Sequence, residues 1–119
     1  MSQTFQAGDY LVFQLEAAFG LLRVLAVDEV DGARIWHLAA YGDFFPDVET
    51  AEASITKGRS LPVSIRHMAL TDRAFESTQV ARIANVDLDA NDIQAVREWR
   101  NSSDRHVSDR SVRLLLGLR

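Results

Sequence analysis

The sequence predicts an α+β fold: a strongly twisted antiparallel sheet of about five strands, with helices near the C-terminus packed on it. Three observations carry this. Runs rich in β-forming residues fill the stretch from Tyr10 to Tyr41, Asp31-Gly32 is a hairpin signal inside it, and helical spacing takes over after Asp89. A small SH3-like barrel is one form such a sheet can take. With 119 residues, the chain suits one domain, residues 1–119, large enough to fold without metal or disulfide.

The elements follow in order. Gly8-Asp9 reads as a turn, and Tyr10 to Leu15 as a strand with Leu11, Phe13 and Leu15 on one face and Tyr10, Val12 and Gln14 on the other. Glu16 to Gly20 is a connection of hairpin length. Leu21 to Val30 is a second strand, whose nearly continuous apolar centre implies cover on both faces. Asp31-Gly32 suits a type I′ turn, which needs two residues tolerant of positive φ, and Ala33 to Tyr41 is the third strand.

Beyond Gly42 the pattern is mixed. Asp47 can cap a short helix with Val48, Ala51 and Ile55 as its apolar stripe and Lys57-Gly58 as its stop. Leu61 to Leu70 is a fourth strand, whose alternation places Val63, Ile65, His67 and Ala69 on one face and Ser64, Arg66 and Met68 on the other. Thr71 to Ser77 forms a loop or one helical turn, and Gln79 to Val86 a fifth strand. Asp89 caps the main helix, which buries Ile93, Val96 and Trp99 and stops at Asn101-Ser102-Ser103. Ser108 caps a last short helix whose stripe includes Val112, Leu115 and Leu116, with Gly117 as its C-terminal stop; Val112, Leu114, Leu116 and Leu118 also alternate as a strand would.

Composition narrows the function classes. Cysteine is absent, which excludes disulfides, thiol catalysis and thiolate metal sites. No apolar run reaches the roughly 20 residues of a membrane span. Met1-Ser2-Gln3-Thr4 has neither a basic nor an apolar signal segment, so a cytoplasmic location is expected. The net charge is −4: nine acids and four bases in residues 1–60, then eight acids and nine bases in residues 61–119. Six arginines lie from Arg97 onward, so a nucleic-acid accessory role through this tail is one alternative; the interspersed acids and a pI near 5.3 oppose it.

Catalytic motifs are missing. There is no nucleophile elbow, phosphate-binding loop, dinucleotide fingerprint or H-E-x-x-H helix. Asp87, Asp89, Asn91 and Glu98 match several positions of a calcium loop, but Asp92 stands where its glycine belongs and the helical stripe has already begun, so they read as a capped helix. His37 and His67 lie on different strands. In the right register they meet and, with Asp43 or Glu49, make a metal-binding or metal-dependent catalytic site; the plainer reading is two packed sheet residues. No cofactor is expected.

The segment Tyr41-Gly42-Asp43-Phe44-Phe45-Pro46-Asp47 joins three aromatics to acids in a loop, with Glu49 and Glu52 beyond. Aromatic anchors within a charged rim characterise protein-binding surfaces. Tyr41, Asp43, Phe44, Phe45 and Asp47 are therefore the candidate partner-binding residues; the alternative is that Phe44 and Phe45 cap the core.

Gly8-Asp9-Tyr10-Leu11-Val12-Phe13-Gln14-Leu15, followed by Gly20-Leu21-Leu22-Arg23-Val24-Leu25, resembles the opening of a family of small bacterial immunity proteins from toxin–immunity systems. The resemblance covers about the first 30 residues. It implies a compact, barrel-like sheet with helices that binds a partner protein and has no catalytic site. The leading expectation is thus a non-enzymatic protein-binding module of the immunity type.

Overall fold

The computed structural model describes residues 4–56 and 61–118. Its strands are β1 (Asp9–Gln14), β2 (Phe19–Val30), β3 (Ala33–Tyr41), β4 (Val63–Thr71) and β5 (Val80–Asn85); its helices are α1 (Val48–Thr56), α2 (Asp72–Glu76), α3 (Ala90–Asn101) and α4 (Val112–Leu115). All neighbouring strands are antiparallel, in the order β4-β3-β2-β1-β5. This is the predicted α+β class, but the sheet is open. β4 and β5 form its two edges, so the SH3-like barrel does not form.

The meander forms because its local signals agree. Asp31 and Gly32 take φ of 53° and 81°, the left-handed pair that the tight turn requires. At the other hairpin, Phe13 lies opposite Gly20, and a Cβ on Gly20 would stand 2.3 Å from the Phe13 ring. Glycine there is what lets the ring cross the neighbouring strand.

Two apolar layers cover the sheet. On one face Leu11, Phe13, Leu22, Val24, Trp36, Leu38 and Leu70 pack with α2 and α4 through Phe75 and Val112. Trp36 stacks on Phe75 at 4.1 Å and donates its indole N–H to Asp72. On the other face, Val12, Leu21, Tyr41 and Phe45 pack under α1 around Ala51, and Leu25 and Ala39 pack under α3 around Val96. Cover on both faces explains the apolar run at the centre of β2.

Four expectations need correcting. β4 does not alternate strictly: between the pairs Leu38–Met68 and Ala40–Ile65, Ala39 alone faces both Arg66 and His67, and the next step leaves Ser64 over. These bulges turn Arg66 and His67 toward α3, while Ile65 joins Met68 in the opposite layer. Second, Ile93 is exposed and α3 buries Ala95 and Val96, with Trp99 half-buried. Steps of three residues drift by about 60° each around a helix, so a stripe at 93, 96 and 99 does not define one line of contact. Third, α4 is capped by Ser111, whose hydroxyl accepts the Leu114 N–H. Ser108 is buried instead beside β4, donating its N–H to Ala69 O and accepting that of Thr71. Fourth, the hairpin connection is shorter, since β2 begins at Phe19. Asp47 caps α1 as expected, accepting the Thr50 N–H at 2.7 Å; the stop at Lys57-Gly58 lies outside the described residues.

Candidate functional site

The loop after β3 is held at three points. Gly42 N–H bonds to Pro62 O at 2.7 Å, Phe45 exchanges both backbone bonds with Phe19 at 2.7 and 2.9 Å, and Asp47 anchors α1. Phe45 is thereby drawn into the layer under α1, and Tyr41 packs beside it, stacked on Tyr10. Burial, together with Tyr10 alongside, raises the Tyr41 hydroxyl far above its ordinary pKa, so it stays neutral. Phe44 is turned the other way and keeps 49% of its surface exposed. Asp43, Asp47, Glu49 and Glu52 are exposed around the same turn. The Thr50 hydroxyl and amide hold the Asp47 carboxyl below its usual range, and both bonds fall on one oxygen. A cleft of about 410 Å³ opens at the loop's base, with Tyr41 and Val63 among its lining.

The two histidines do meet. His37 Nδ1 lies 2.9 Å from His67 Nε2, and the rings stack at 5.1 Å. The register pairs His37 with Ala69, and the β4 bulge brings His67 across. The acid that joins them is neither Asp43 nor Glu49. It is Asp28 of β2, whose Oδ2 lies 3.0 Å from His37 Nε2. Arg100 of α3 grips the same carboxylate with two donors, and Trp99 sets its ring edge against His37 at 4.8 Å. Burial works to raise the Asp28 pKa, but the bonds from Arg100 and His37 outweigh it and keep the carboxyl below its usual value. Burial lowers His37, with Asp28 partly opposing. Burial and then the neighbouring His37 and Arg66 charges bring His67 down to about 4. Both rings are neutral at pH 7.

The hydrogen-bond network then assigns the protons. A carboxylate only accepts, so His37 carries its proton on Nε2. Its bare Nδ1 accepts from His67 Nε2–H, and His67 is left with a lone pair on Nδ1. His37 has no nitrogen free for a metal, and among the described residues no group of three or more His, Asp or Glu side chains is placed to hold one. The acids near Asp87 are also engaged: Asp89 and Asp92 form a reciprocal capping box at the start of α3.

No protein-family model matches the chain, and no curated protein or solved structure matches it. The immunity-like opening therefore stands on its residues alone, and two of these have structural work. Asp9 is fully buried, accepting from Gln6 N–H and the Asn85 amide. Arg23, nearly buried, donates to Asp92 and to the carbonyls of Val86 and Asp87. The late arginines among the described residues do not form one stripe. Arg100 holds Asp28 on the α3 face, while Arg113 on α4, across the sheet, donates to Gln14 O. No helix among the described residues is long and apolar enough to cross a membrane.

Sequence reading missed Asp28 and Arg100 because they come from separate elements with no local motif. The only signal was Asp28 breaking the apolar run of β2.

Proposed function

We propose that the chain is a protein-binding module that docks a basic partner surface through the loop between β3 and α1. The observation that carries this reading is the opposed placement of adjacent rings, Phe45 buried and Phe44 exposed. Phe44 is the apolar anchor. Asp43, Asp47, Glu49 and Glu52 form an acidic rim that steers a positively charged surface. The bonds at Gly42, Phe45 and Asp47 hold the loop before a partner arrives, which lowers the ordering cost of binding. Tyr41 and Phe45 serve from beneath, as the packed support of the loop. The immunity-like opening supports a narrower form of the reading, in which the partner is a cognate toxin.

The experiment is comparative capture from the native host with the parent chain and Phe44→Ala, followed by affinity measurement on the purified partner. The expected partner binds the parent, binds Phe44→Ala at least about tenfold more weakly, and loses affinity as salt rises. Equal affinity for the two chains, at equal thermal stability, places the contact elsewhere.

A further inference from the structure

We infer that His67 is a nucleophilic imidazole that accepts acyl groups from small aryl esters, with His37 and Asp28 receiving the proton released. This goes beyond the docking reading and uses none of the loop's side chains.

The geometry carries the inference in three steps. First, His67 Nδ1 bonds to no group among the described residues, while its ring lines two open clefts of about 400 and 260 Å³. Second, its opposite nitrogen is backed by a built relay: Nε2–H to His37 Nδ1 at 2.9 Å, then His37 Nε2–H to Asp28 at 3.0 Å, with His37 fully buried and Asp28 fixed by Arg100. A nucleophile whose partner base is oriented by a third group is the arrangement that covalent catalysis requires. Third, Trp99 is a wall of both clefts, an apolar surface for an aromatic leaving group. The charged and titratable groups facing the pair are Asp28 of β2, Arg66 of β4 with its ion-pair partner Glu98 of α3, Arg100 of α3, and Asp104 and His106 beyond α3.

The chemistry balances without a cofactor. His67 Nδ1 forms a bond to the ester carbonyl carbon, and the bond from that carbon to the aryl oxygen breaks, releasing aryloxide. The acylated ring passes its Nε2 proton to His37 Nδ1, leaving a neutral acylimidazole and a His37 imidazolium opposite Asp28. Water then attacks the acyl carbon, the bond from that carbon to His67 Nδ1 breaks, His37 returns its proton to His67 Nε2, and the carboxylate and the two protons of the water leave.

The test uses para-nitrophenyl acetate with the full chain in excess, reading nitrophenolate release and, after acid quench, the acetylated residue by mass spectrometry. A burst with acetyl on His67 is expected, and His67→Gln abolishes it. As a positioning residue, His37 is expected to govern the rate and its pH profile: His37→Gln lowers acylation by about a hundredfold and shifts the profile. Acetyl placed mainly on His106 or another residue, or a burst that survives in a folded His67→Gln, overturns the inference. Long-range nitrogen–proton NMR on the parent is independent of any variant. It is expected to show His67 protonated at Nε2 and bare at Nδ1, and the reverse tautomer also overturns the inference.

Discussion

Arg23 of β2 and Asp92 of α3 meet at 3.0 Å across 69 residues of chain, with the arginine side chain only 7% exposed. Its guanidinium also donates to Val86 O and Asp87 O and lies 4.5 Å over the Tyr10 ring. One side chain thereby ties the β5–α3 connection to the sheet, while Asp92 also closes the capping box of α3. Asp92→Ala removes a cap and leaves a buried cation short of its counter-charge. A loss of about 3 kcal/mol is expected in urea denaturation; a midpoint equal to the parent's contradicts this role.

The histidine pair makes stability pH-dependent. Both imidazoles have folded pKa values below the unfolded value of about 6.5, His67 reaching about 4. The unfolded chain therefore binds more protons between those limits. The stabilisation is complete above about pH 6.5 and is lost as pH falls toward 4, by about 2 kcal/mol after allowing for the half-exposed His67. The His37→Gln, His67→Gln double variant should show a shallower loss across this window. Parallel stability curves for variant and parent would reject the assignment.

Adjacent phenylalanines should respond oppositely. Phe45→Ala opens a cavity between α1 and the sheet and should cost about 3 kcal/mol. Phe44→Ala, at the exposed position, should leave the melting temperature nearly unchanged. Melting curves for the two variants decide it; equal destabilisation contradicts the opposed placement.

Asp89→Ala tests the helix start. Its side chain accepts the Asp92 N–H at 2.9 Å, and the cost should be about 1 kcal/mol, the usual value of a lost cap. Faster amide exchange confined to the first turn of α3 is the accompanying signature, and uniform exchange along α3 would place the cap elsewhere.

Gly20→Ala should cost about 2 kcal/mol, because a Cβ there meets the Phe13 ring in a closely packed layer. Pairing it with Phe13→Leu should recover part of the loss. If the single variant is as stable as the parent, the ring has room that the packing denies it.

Much of the fold was legible because its signals are local. Runs of β-forming residues mark β1 to β3, positive φ selects Asp31-Gly32, and a side-chain oxygen ahead of an apolar stripe marks α3 at Asp89. Each depends on residues within a few positions of one another, so the amino-acid order alone determines them.

The arrangement of the candidate sites had to wait for long-range pairing. Whether His67 reaches His37 depends on bulges in β4, and bulges are set by how two strands distant in sequence fit together. Asp28 and Arg100 join only when β2 lies beside β3 and α3 crosses above them. Phe44 and Phe45 are the same residue type in the same loop; the backbone bridge to Phe19 decides which is buried. Strand order likewise leaves β4 and β5 as open edges rather than closing a barrel. Composition and periodicity carry the preference of each segment, whereas register, bulge and helix rotation arise from packing between segments, and it is there that side chains from four elements become one site.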